Sequence, residues 1–346
     1  MENLVNSSPL ILVLVFLVIG FAFLMKGADF FVEGSSSIAK RLKVPPIIIG
    51  LTIVAMGTSL PETAVSVTAS LVNNNELAVS NVVGSNIFNL MVVVGVCSIL
   101  TPILVQKETI KRDIPFSMIC AFLLLGLGIL AVGDKIGMRL GHLDGIIMLG
   151  FFAGYIVAMI RSAMKARAAG INVEIEGIEE LEEEIGILSW PKSILFIIGG
   201  ALAIAFGGDL TVDAASRIAI DLGMSQTLVG LTIVSIGTSL PELVTSVVAA
   251  RKNEVDMAVG NAVGSNIFNI LMVLGIASAI NPVALIRENI IDIAILIGFT
   301  LIVWIYAATK RKISRKEGIS MVCLYLIYAG YIICLLYTSP SPRDRG

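Results

Sequence analysis

The chain has 346 residues, of which 56% are hydrophobic and only 14% are charged, and its formal net charge at pH 7 is −2. Its mean hydropathy is +0.94. This composition excludes a soluble globular domain. We therefore expect a polytopic membrane protein in contact with the lipid bilayer, and we expect no nucleic-acid partner.

Apolar runs along the chain predict ten membrane-spanning helices. A helix crosses the ~30 Å hydrocarbon core in about 20 residues. Runs of that length lie at residues 9–36, 45–71, 77–100, 114–132, 143–160, 190–216, 227–250, 256–280, 290–308 and 319–336. The first run has no basic segment before it and no small-residue cleavage site after it. It is therefore predicted to be the first span and not a cleaved signal peptide.

Lysine and arginine are concentrated in alternate loops, which predicts the orientation of the chain. If those loops are cytoplasmic, seventeen basic residues lie inside: Lys40, Arg41, Lys43, Lys107, Lys111, Arg112, Arg161, Lys165, Arg167, Lys192, Arg251, Lys252, Lys310, Arg311, Lys312, Arg315 and Lys316. Four lie outside: Lys135, Arg139, Arg217 and Arg287. The chain is thus expected to lie in the cytoplasmic membrane with its N-terminus extracellular.

A segment of 46 residues occurs twice, at 50–95 and 230–275, with a constant offset of 180 residues and 27 identical positions. The first copy follows a basic group at 40–43, whereas the second is followed by the basic pair Arg251 and Lys252. The copies should therefore enter the membrane from opposite sides, as five spans per half require. We predict an all-α fold of ten transmembrane helices arranged as two inverted five-helix repeats, an architecture found in many secondary transporters.

The predicted organisation has a first repeat at 1–168, an acidic cytoplasmic loop at 169–189 and a second repeat at 190–336. The loop carries seven glutamates between residues 174 and 184. A run of acids is usually solvated, and a regulatory calcium site is the alternative. The Ser/Pro-rich residues 334–346 differ in composition from the span before them. We expect this tail to be non-native sequence derived from a sequencing adapter.

Each copy of the repeat carries one glutamate in an apolar stretch, Glu62 and Glu242, directly after a proline. Ionisable residues inside a membrane are costly and mark functional sites, and two repeat-equivalent glutamates disfavour the alternative of a purely structural hydrogen bond. Proline lacks an N–H group and disfavours helical geometry before it, so the helix should break and free backbone carbonyls near Ala55 and Ser235. The hydroxyls expected beside the carboxylates are those of Thr58, Ser59, Thr238 and Ser239.

The second motif of each copy, GSNIFN, adds two sets of polar side chains: Ser85, Asn86 and Asn89, and Ser265, Asn266 and Asn269. The serine and the last asparagine of each set are four residues apart and share a helix face. Together with the carboxylates they form a group of hard oxygen ligands, which suits Ca²⁺ with its 6–8 oxygens at roughly 2.3–2.6 Å. The same oxygens can be divided among several Na⁺ ions. For Asn86 and Asn266, hydrogen bonding between helices is an equally good interpretation.

The paired GTSLPE and GSNIFN motifs in an inverted ten-helix chain resemble the alpha repeats of the sodium/calcium exchanger branch of the calcium/cation antiporters, especially its compact prokaryotic members. The resemblance covers residues 9–333. It implies Na⁺/Ca²⁺ exchange by alternating access at a shared midplane site, with the first and sixth spans sliding past a static core. Ca²⁺ and Na⁺ are then the transported substrates, no cofactor is needed, and a monomer is expected.

The resemblance also implies roles for individual residues. Glu62 and Glu242 would be the principal calcium ligands. The other implied ligands are the carbonyls of Thr58 and Thr238 at the calcium site, Ser59, Ser85, Ser239 and Ser265 with the carbonyls of Ala55 and Ser235 at sodium sites, and Asn89 and Asn269 at the centre. Some relatives have Asp in place of Asn269, and that Asp is associated with potassium dependence, so Asn269 argues against it. The GNxxE-type helix of the proton-coupled branch is absent from the sequence.

We therefore predict a secondary active antiporter, not an enzyme, that expels Ca²⁺ at the expense of the sodium gradient. The close alternatives are H⁺/Ca²⁺ exchange and potassium-dependent Na⁺/Ca²⁺ exchange. A passive cation channel is an alternative of another class and would carry flux without a counter-ion. An intramembrane enzyme would need a nucleophile or a metal-binding histidine cluster, which the sequence does not offer.

Overall fold

The computed structural model describes residues 2–71, 75–129, 138–168, 187–224, 229, 233 and 235–338. These residues are mostly helical. In chain order the helices are α1 (Glu2–Asn6), α2 (Leu10–Leu42), α3 (Pro46–Thr58), α4 (Leu60–Leu71), α5 (75–100), α6 (Thr109–Ile129), α7 (His142–Ala168), α8 (Trp190–Asp221), α9 (Ser235–Gly237), α10 (Leu240–Arg251), α11 (Val255–Ile280), α12 (Arg287–Lys310) and α13 (Arg315–Thr338). Four two-residue strands are β1 (Ile103–Leu104), β2 (Arg139–Leu140), β3 (Val283–Ala284) and β4 (Lys312–Ile313).

Within the described ranges, eight helices are long and apolar enough to cross a membrane, namely α2, α5, α6, α7, α8, α11, α12 and α13. The pair α3 and α4 forms a ninth candidate span, bent by 48°. The polytopic membrane fold predicted from composition is therefore confirmed. The predicted seventh span, 227–250, lies partly outside the described residues, so the count of ten stays a prediction.

Several helices extend beyond the predicted span boundaries: α2 and α6 as described below, and α7 and α8, which end at Ala168 and Asp221 instead of 160 and 216. Helix α2 continues to Leu42 instead of stopping at 36, because Lys40 and Arg41 in its last turn interact favourably with the helix C-terminus. It ends where Lys43 adopts the left-handed conformation, with φ of 54°. Helix α6 begins at Thr109 instead of 114. Arg112 lies in the first turn of α6. Its charge is accommodated because it donates hydrogen bonds to Asp113 and to Ser162 of α7.

Helices α2 and α8 are the first long helices of the two predicted halves. They pack against each other through faces that carry glycine residues. A Cβ atom on Gly27 would lie 2.9 Å from the carbonyl oxygen of Gly200, and one on Gly207 would lie 2.7 Å from that of Gly20. Early residues of α2 thus meet late residues of α8, so the two helices run antiparallel. Backbones this close leave no room for side chains between them.

The two halves interlock through their later helices. Gly145 of α7 lies against Gly275 of α11, and Gly318 of α13 lies against Gly95 of α5. Each of these contacts joins one half of the chain to the other. The same is true of the short strands, because β1 pairs with β4 and β2 pairs with β3, both antiparallel. The core therefore lies between the halves, around α3, α5, α10 and α11.

Both GTSLPE motifs interrupt a helix, as the prolines predicted. Helix α3 ends at Thr58 and α4 begins at Leu60, so the break precedes Pro61, which is tolerated in the first turn of the next helix. The Ala55 carbonyl is not free of helical bonding, because it accepts the Ser59 N–H at 3.0 Å, and one lone pair remains for a cation. The missing proline N–H would have bonded four residues back, at Gly57.

Candidate cation site

The two helix breaks bring the glutamates together at the centre of the molecule. Glu62 and Glu242 each lie in the first turn of the helix that follows a break, and both are fully buried. The serine before each break reaches across to the other half. Ser59 donates to Glu242 Oε1 at 3.1 Å, and Ser239 donates to Glu62 Oε1 at 3.5 Å. The crossed bonds place the predicted carboxylates and hydroxyls in one cluster.

The backbone at the breaks differs from helical geometry only slightly. Ser59 has φ of −84° and ψ of 11°, and Ser239 has φ of −95° and ψ of 5°. Such values belong to the sparsely populated bridge region, where many active-site residues lie. Irregular backbone at membrane depth is tolerated only where it is buried in protein or lines a cavity. Both breaks meet this condition, because Ser59 and Ser239 are fully buried.

Four asparagines form a reciprocal network between α5 and α11. Asn86 donates to the Asn266 carbonyl at 3.1 Å, and Asn266 donates to the Asn86 carbonyl at the same distance. Asn269 donates to Asn86 Oδ1 at 3.1 Å, and Asn89 donates to Asn266 Oδ1 at 3.3 Å. The inter-helix role considered for Asn86 and Asn266 is therefore observed. Asn89 and Asn269 also open π-helical turns, a feature frequent at functional sites.

Several oxygens of the predicted ligands are buried and lack a hydrogen-bond partner within the described chain. They are Glu62 Oε2, Glu242 Oε2, Ser85 Oγ, Asn89 Oδ1 and Asn269 Oδ1. Leaving a buried polar atom without a partner costs about 1–3 kcal/mol. Similar atoms occur elsewhere in the described chain, for example Ser35 Oγ and Thr245 Oγ1, but these five lie on residues that the sequence predicts as ligands. Each can only accept a hydrogen bond or bind a cation, except the serine hydroxyl, which can also donate.

The remaining predicted ligands lie around this cluster. Ser265 donates to Glu242 Oε1 at 3.4 Å, and Ala55 is fully buried. Ser235 begins α9, and its side chain lies outside the described part of the chain. The Thr58 hydroxyl lies beside Glu242 and donates to Asn261 Oδ1 at 3.0 Å.

Asn81 and Asn261 were missed in the sequence, although they contact predicted ligands. Thr238 Oγ1 donates to Asn81 Oδ1 at 3.4 Å, which mirrors the bond between Thr58 and Asn261. The two asparagines are 180 residues apart, so the repeat offset was an available signal. Each lies four residues before a predicted serine ligand, on the same helix face.

The cluster contains oxygen ligands and two acidic side chains. No group of three or more His, Cys, Asp or Glu residues is found among the described residues. Oxygen ligands of this kind suit hard cations such as Ca²⁺, Na⁺ and Mg²⁺ better than zinc or copper. Two carboxylates carry the formal charge that neutralises one divalent cation. The glutamates of the acidic loop at 174–184 lie outside the described residues.

Comparisons with known proteins agree on one family. Residues 12–161 and 192–334 match the family described as "Sodium/calcium exchanger protein". The chain is 37% identical to CaxA of Alkalimonas amylolytica, a candidate antiporter, over 91% of this chain and 96% of that one. It is 33% identical to the sodium/calcium exchanger MaX1 of Methanosarcina acetivorans, over 93% and 97%. The solved structure of the sodium-calcium exchanger NCX_Mj superposes with a TM-score of 0.77 at 31% identity, covering 92% and 98%.

Proposed function

The chain belongs to the sodium/calcium exchanger protein family, and from this premise we propose that it exchanges Na⁺ for Ca²⁺ across the cytoplasmic membrane by alternating access. As a member of that family it is a multi-pass cation antiporter and not an enzyme. The transported ions would share one site between the two halves of the chain. The exchanger would work as a monomer and without a cofactor.

The five unpartnered oxygens on Glu62, Glu242, Ser85, Asn89 and Asn269 carry this proposal. They provide fewer atoms than the 6–8 oxygens that Ca²⁺ takes. The carbonyls of Thr58 and Thr238 would complete the set. A dehydrated Ca²⁺ would then meet two negative charges and neutral oxygens. The same atoms can be shared among sodium ions, with Ser59, Ser239, Ser265 and the carbonyls of Ala55 and Ser235 as additional ligands.

Competition for one set of ligands explains exchange in physical terms. The two carboxylates would be neutralised by one Ca²⁺ or by two or more Na⁺ ions. Calcium and sodium ions cannot bind the same oxygens at the same time. An unloaded site leaves two buried like charges facing each other, which is unfavourable in a medium of low dielectric. The loaded site would therefore cross between the two access states more readily than the unloaded one, and this couples the two ion flows.

The inverted architecture is part of the same proposal. Antiparallel packing of α2 on α8, the crossed serine bonds and the reciprocal asparagine bonds are what two halves related by a two-fold axis in the membrane plane would produce. We propose ten spans in two repeats, 1–168 and 190–336, joined by the cytoplasmic loop 169–189. The bias of basic residues supports an extracellular N-terminus.

Calcium uptake into sodium-loaded proteoliposomes tests the proposal. Uptake of ⁴⁵Ca²⁺ should require internal sodium and should persist when a proton ionophore is added. The Glu62→Gln and Glu242→Gln variants should fold and lose uptake, because each removes one of two charges that bind a divalent ion. Potassium should be unnecessary on either side, since Asn269 replaces an acid at that position.

Each other result names a different function. Uptake that collapses with the ionophore and ignores sodium would move the protein to proton-coupled exchange. Uptake that needs potassium as well as sodium would contradict the argument from Asn269. Calcium flux that proceeds without any counter-ion would indicate a channel. Full activity in the Glu62→Gln variant would refute the shared site.

A further inference from the structure

We infer that Asn261 is a positioning residue for the cation site: it fixes Thr58 of the first half and the backbone of Glu242 in the second. This inference rests on the proposed function and assigns a role to a side chain outside the predicted ligand set. Asn261 lies in α11, four residues before Ser265, and is fully buried.

The contacts of Asn261 join the two GTSLPE motifs. Its Oδ1 accepts a hydrogen bond from Thr58 Oγ1 at 3.0 Å. Its Nδ2 donates to Ser246 Oγ at 3.0 Å and to the Glu242 carbonyl at 3.4 Å. A carbonyl oxygen can only accept, so the amide nitrogen must face Glu242 and the amide oxygen must face Thr58. The orientation of the amide therefore follows from its neighbours.

The bond to Asn261 determines where the Thr58 hydroxyl points. A threonine hydroxyl has one proton, and at least four possible acceptors lie within its reach, including Ser265 Oγ at 3.4 Å. Asn261 Oδ1 at 3.0 Å is closer than the carbonyls of Val54 at 3.2 Å and Ala55 at 3.3 Å. Those two carbonyls belong to the preceding helical turn, and a bond to either would keep the Thr58 hydroxyl within α3. The contact with Asn261 instead ties the last residue of α3 to α11.

This arrangement matters because Thr58 ends its helix. Helix α3 stops at Thr58, and the chain turns at Ser59 before α4 begins. The carbonyl of Thr58, a proposed calcium ligand, lies at a bend that intrahelical bonds alone do not hold. The 3.0 Å side-chain bond across the halves fixes that carbonyl relative to α11, which carries Asn261, and the 3.4 Å bond from Asn261 to the Glu242 carbonyl is the weaker of the two. Preorganised ligands bind an ion without a reorganisation cost.

The repeat supplies a matched comparison at Asn81. Asn81 Oδ1 accepts from Thr238 Oγ1 at 3.4 Å, and its Nδ2 donates to Ser66 Oγ at 3.2 Å. Both bonds are longer than their counterparts at Asn261, and Asn81 is only partly buried. A hydrogen bond at 3.4 Å is near the limit of a useful interaction. The two asparagines therefore share a role but contribute unequally in this conformation.

The test measures calcium KM and maximum rate in sodium-loaded proteoliposomes for Asn261→Ala, Asn81→Ala, Thr58→Val and Thr58→Ser. Loss of one buried hydrogen bond corresponds to roughly a tenfold change in an equilibrium constant. We expect Asn261→Ala to raise the calcium KM by about tenfold with the maximum rate within about twofold of wild type, and Asn81→Ala to raise it by about threefold or less. Thr58→Val, which keeps the carbonyl and removes the hydroxyl, should match Asn261→Ala, and Thr58→Ser should stay near wild type.

The double variant Asn261→Ala with Thr58→Val separates positioning from general destabilisation. If Asn261 acts through Thr58, the KM of the double variant equals that of Thr58→Val within about twofold; independent effects would multiply. Asn289→Ala is the control for loss of a buried asparagine, because Asn289 bonds Ser80 and caps α12, away from the glutamates. It should lower the unfolding temperature and leave the KM unchanged.

Two outcomes would refute the inference alone, and a third would refute the proposed function as well. A folded Asn261→Ala variant with wild-type KM refutes the positioning role, and multiplicative effects in the double variant refute its action through Thr58. In both cases wild-type exchange stands, so the proposed function survives. A wild-type protein that takes up no calcium in exchange for sodium, and whose unfolding temperature does not rise with added Ca²⁺, refutes the proposed function and this inference together.

Discussion

Replacing Asn86 with alanine tests whether the asparagine network holds the two halves together. The side chain of Asn86 makes two bonds across the interface, one to the Asn266 carbonyl and one from Asn269 Nδ2, both at 3.1 Å. Both partners are fully or almost fully buried. Asn86→Ala removes one ordinary hydrogen bond and leaves the Asn269 amide nitrogen without an acceptor.

The expected loss follows from those two contacts. An ordinary hydrogen bond contributes about 0.5–1.5 kcal/mol, and a buried group left unpaired costs about 1–3 kcal/mol. The free energy of unfolding should therefore fall by about 2–4 kcal/mol. Asn89→Ala is the matched comparison. It breaks one bond and leaves Asn266 Oδ1 without that donor, but it also removes Asn89 Oδ1, which has no partner in the described chain, so the two costs of an unpaired atom offset each other. Its cost to stability should be about 1 kcal/mol or less.

Equilibrium unfolding in mixed micelles with increasing SDS measures this difference, with the fluorescence of Trp190 and Trp304 as the signal. Calcium uptake is measured on the same preparations. Asn86→Ala should be the less stable variant, whereas Asn89→Ala should be the less active one, because Asn89 Oδ1 is a proposed ligand. An Asn86→Ala protein as stable as wild type, or an Asn89→Ala protein that is the less stable of the two, would show that the network does not hold the halves together.

Two further predictions concern α2 and its neighbours. Gly200→Ala would place a Cβ atom 2.7 Å from the Gly27 carbonyl oxygen and should destabilise the protein by about 1–3 kcal/mol, whereas Gly199→Ala has open space and should stabilise it by up to about 1 kcal/mol. Thermal unfolding compares the two, and equal effects would contradict the close packing of α2 on α8. Lys252 contacts Asp29 of α2, at 3.5 Å to Oδ1 and 3.0 Å to the carbonyl. If α2 moves during transport, Lys252→Gln should raise the maximum uptake rate by up to about fivefold and Lys252→Arg should not; a rate unchanged by Lys252→Gln would remove this contact from the transport cycle.

The sequence predicted the membrane class and the central cluster because their signals are strong. Long apolar runs have one physical explanation, and the 180-residue offset paired every predicted ligand with an equivalent. The breaks at Pro61 and Pro241 followed from the missing N–H group. The repeat offset shows which positions are equivalent, but it does not show which side chains meet. Crossed contacts such as that of Ser59 with Glu242 could therefore not be predicted residue by residue.

What the sequence could not provide depends on packing between the halves. Asn261 matches Asn81 at the repeat offset, but the offset does not show which side chains it contacts. The ends of α2 and α6 depend on charged side chains that find partners, such as Arg112 with Ser162. The missing N–H of Pro61 leaves the Gly57 carbonyl without its helical partner and does not by itself free the Ala55 carbonyl. In the fold, Ser59 is still helical enough for its N–H to reach that carbonyl.

The two glutamates are equivalent in the repeat but not in the structure. Glu242 Oε1 accepts hydrogen bonds from Ser59 at 3.1 Å and Ser265 at 3.4 Å. Glu62 Oε1 accepts one from Ser239 at 3.5 Å. Ser85, the repeat counterpart of Ser265, lies beside Glu62 but makes no hydrogen bond as short as that of Ser265 with Glu242. The side of the site around Glu242 is thus held more tightly than the side around Glu62.

In an inverted repeat, the two halves exchange their conformations when access changes from one side of the membrane to the other. The tight and loose sides of this site should then exchange as well, so that Ser85 bonds Glu62 and Ser265 loses its bond to Glu242. Ser265→Ala should raise the calcium KM mainly for calcium that enters from the side of the membrane from which the site is reached in the present conformation. Ser85→Ala should raise it mainly for calcium that enters from the opposite side. Uptake into right-side-out and inside-out vesicles distinguishes the two. If both variants change the KM equally on both sides, the asymmetry belongs to the sequence of each half and not to the transport state.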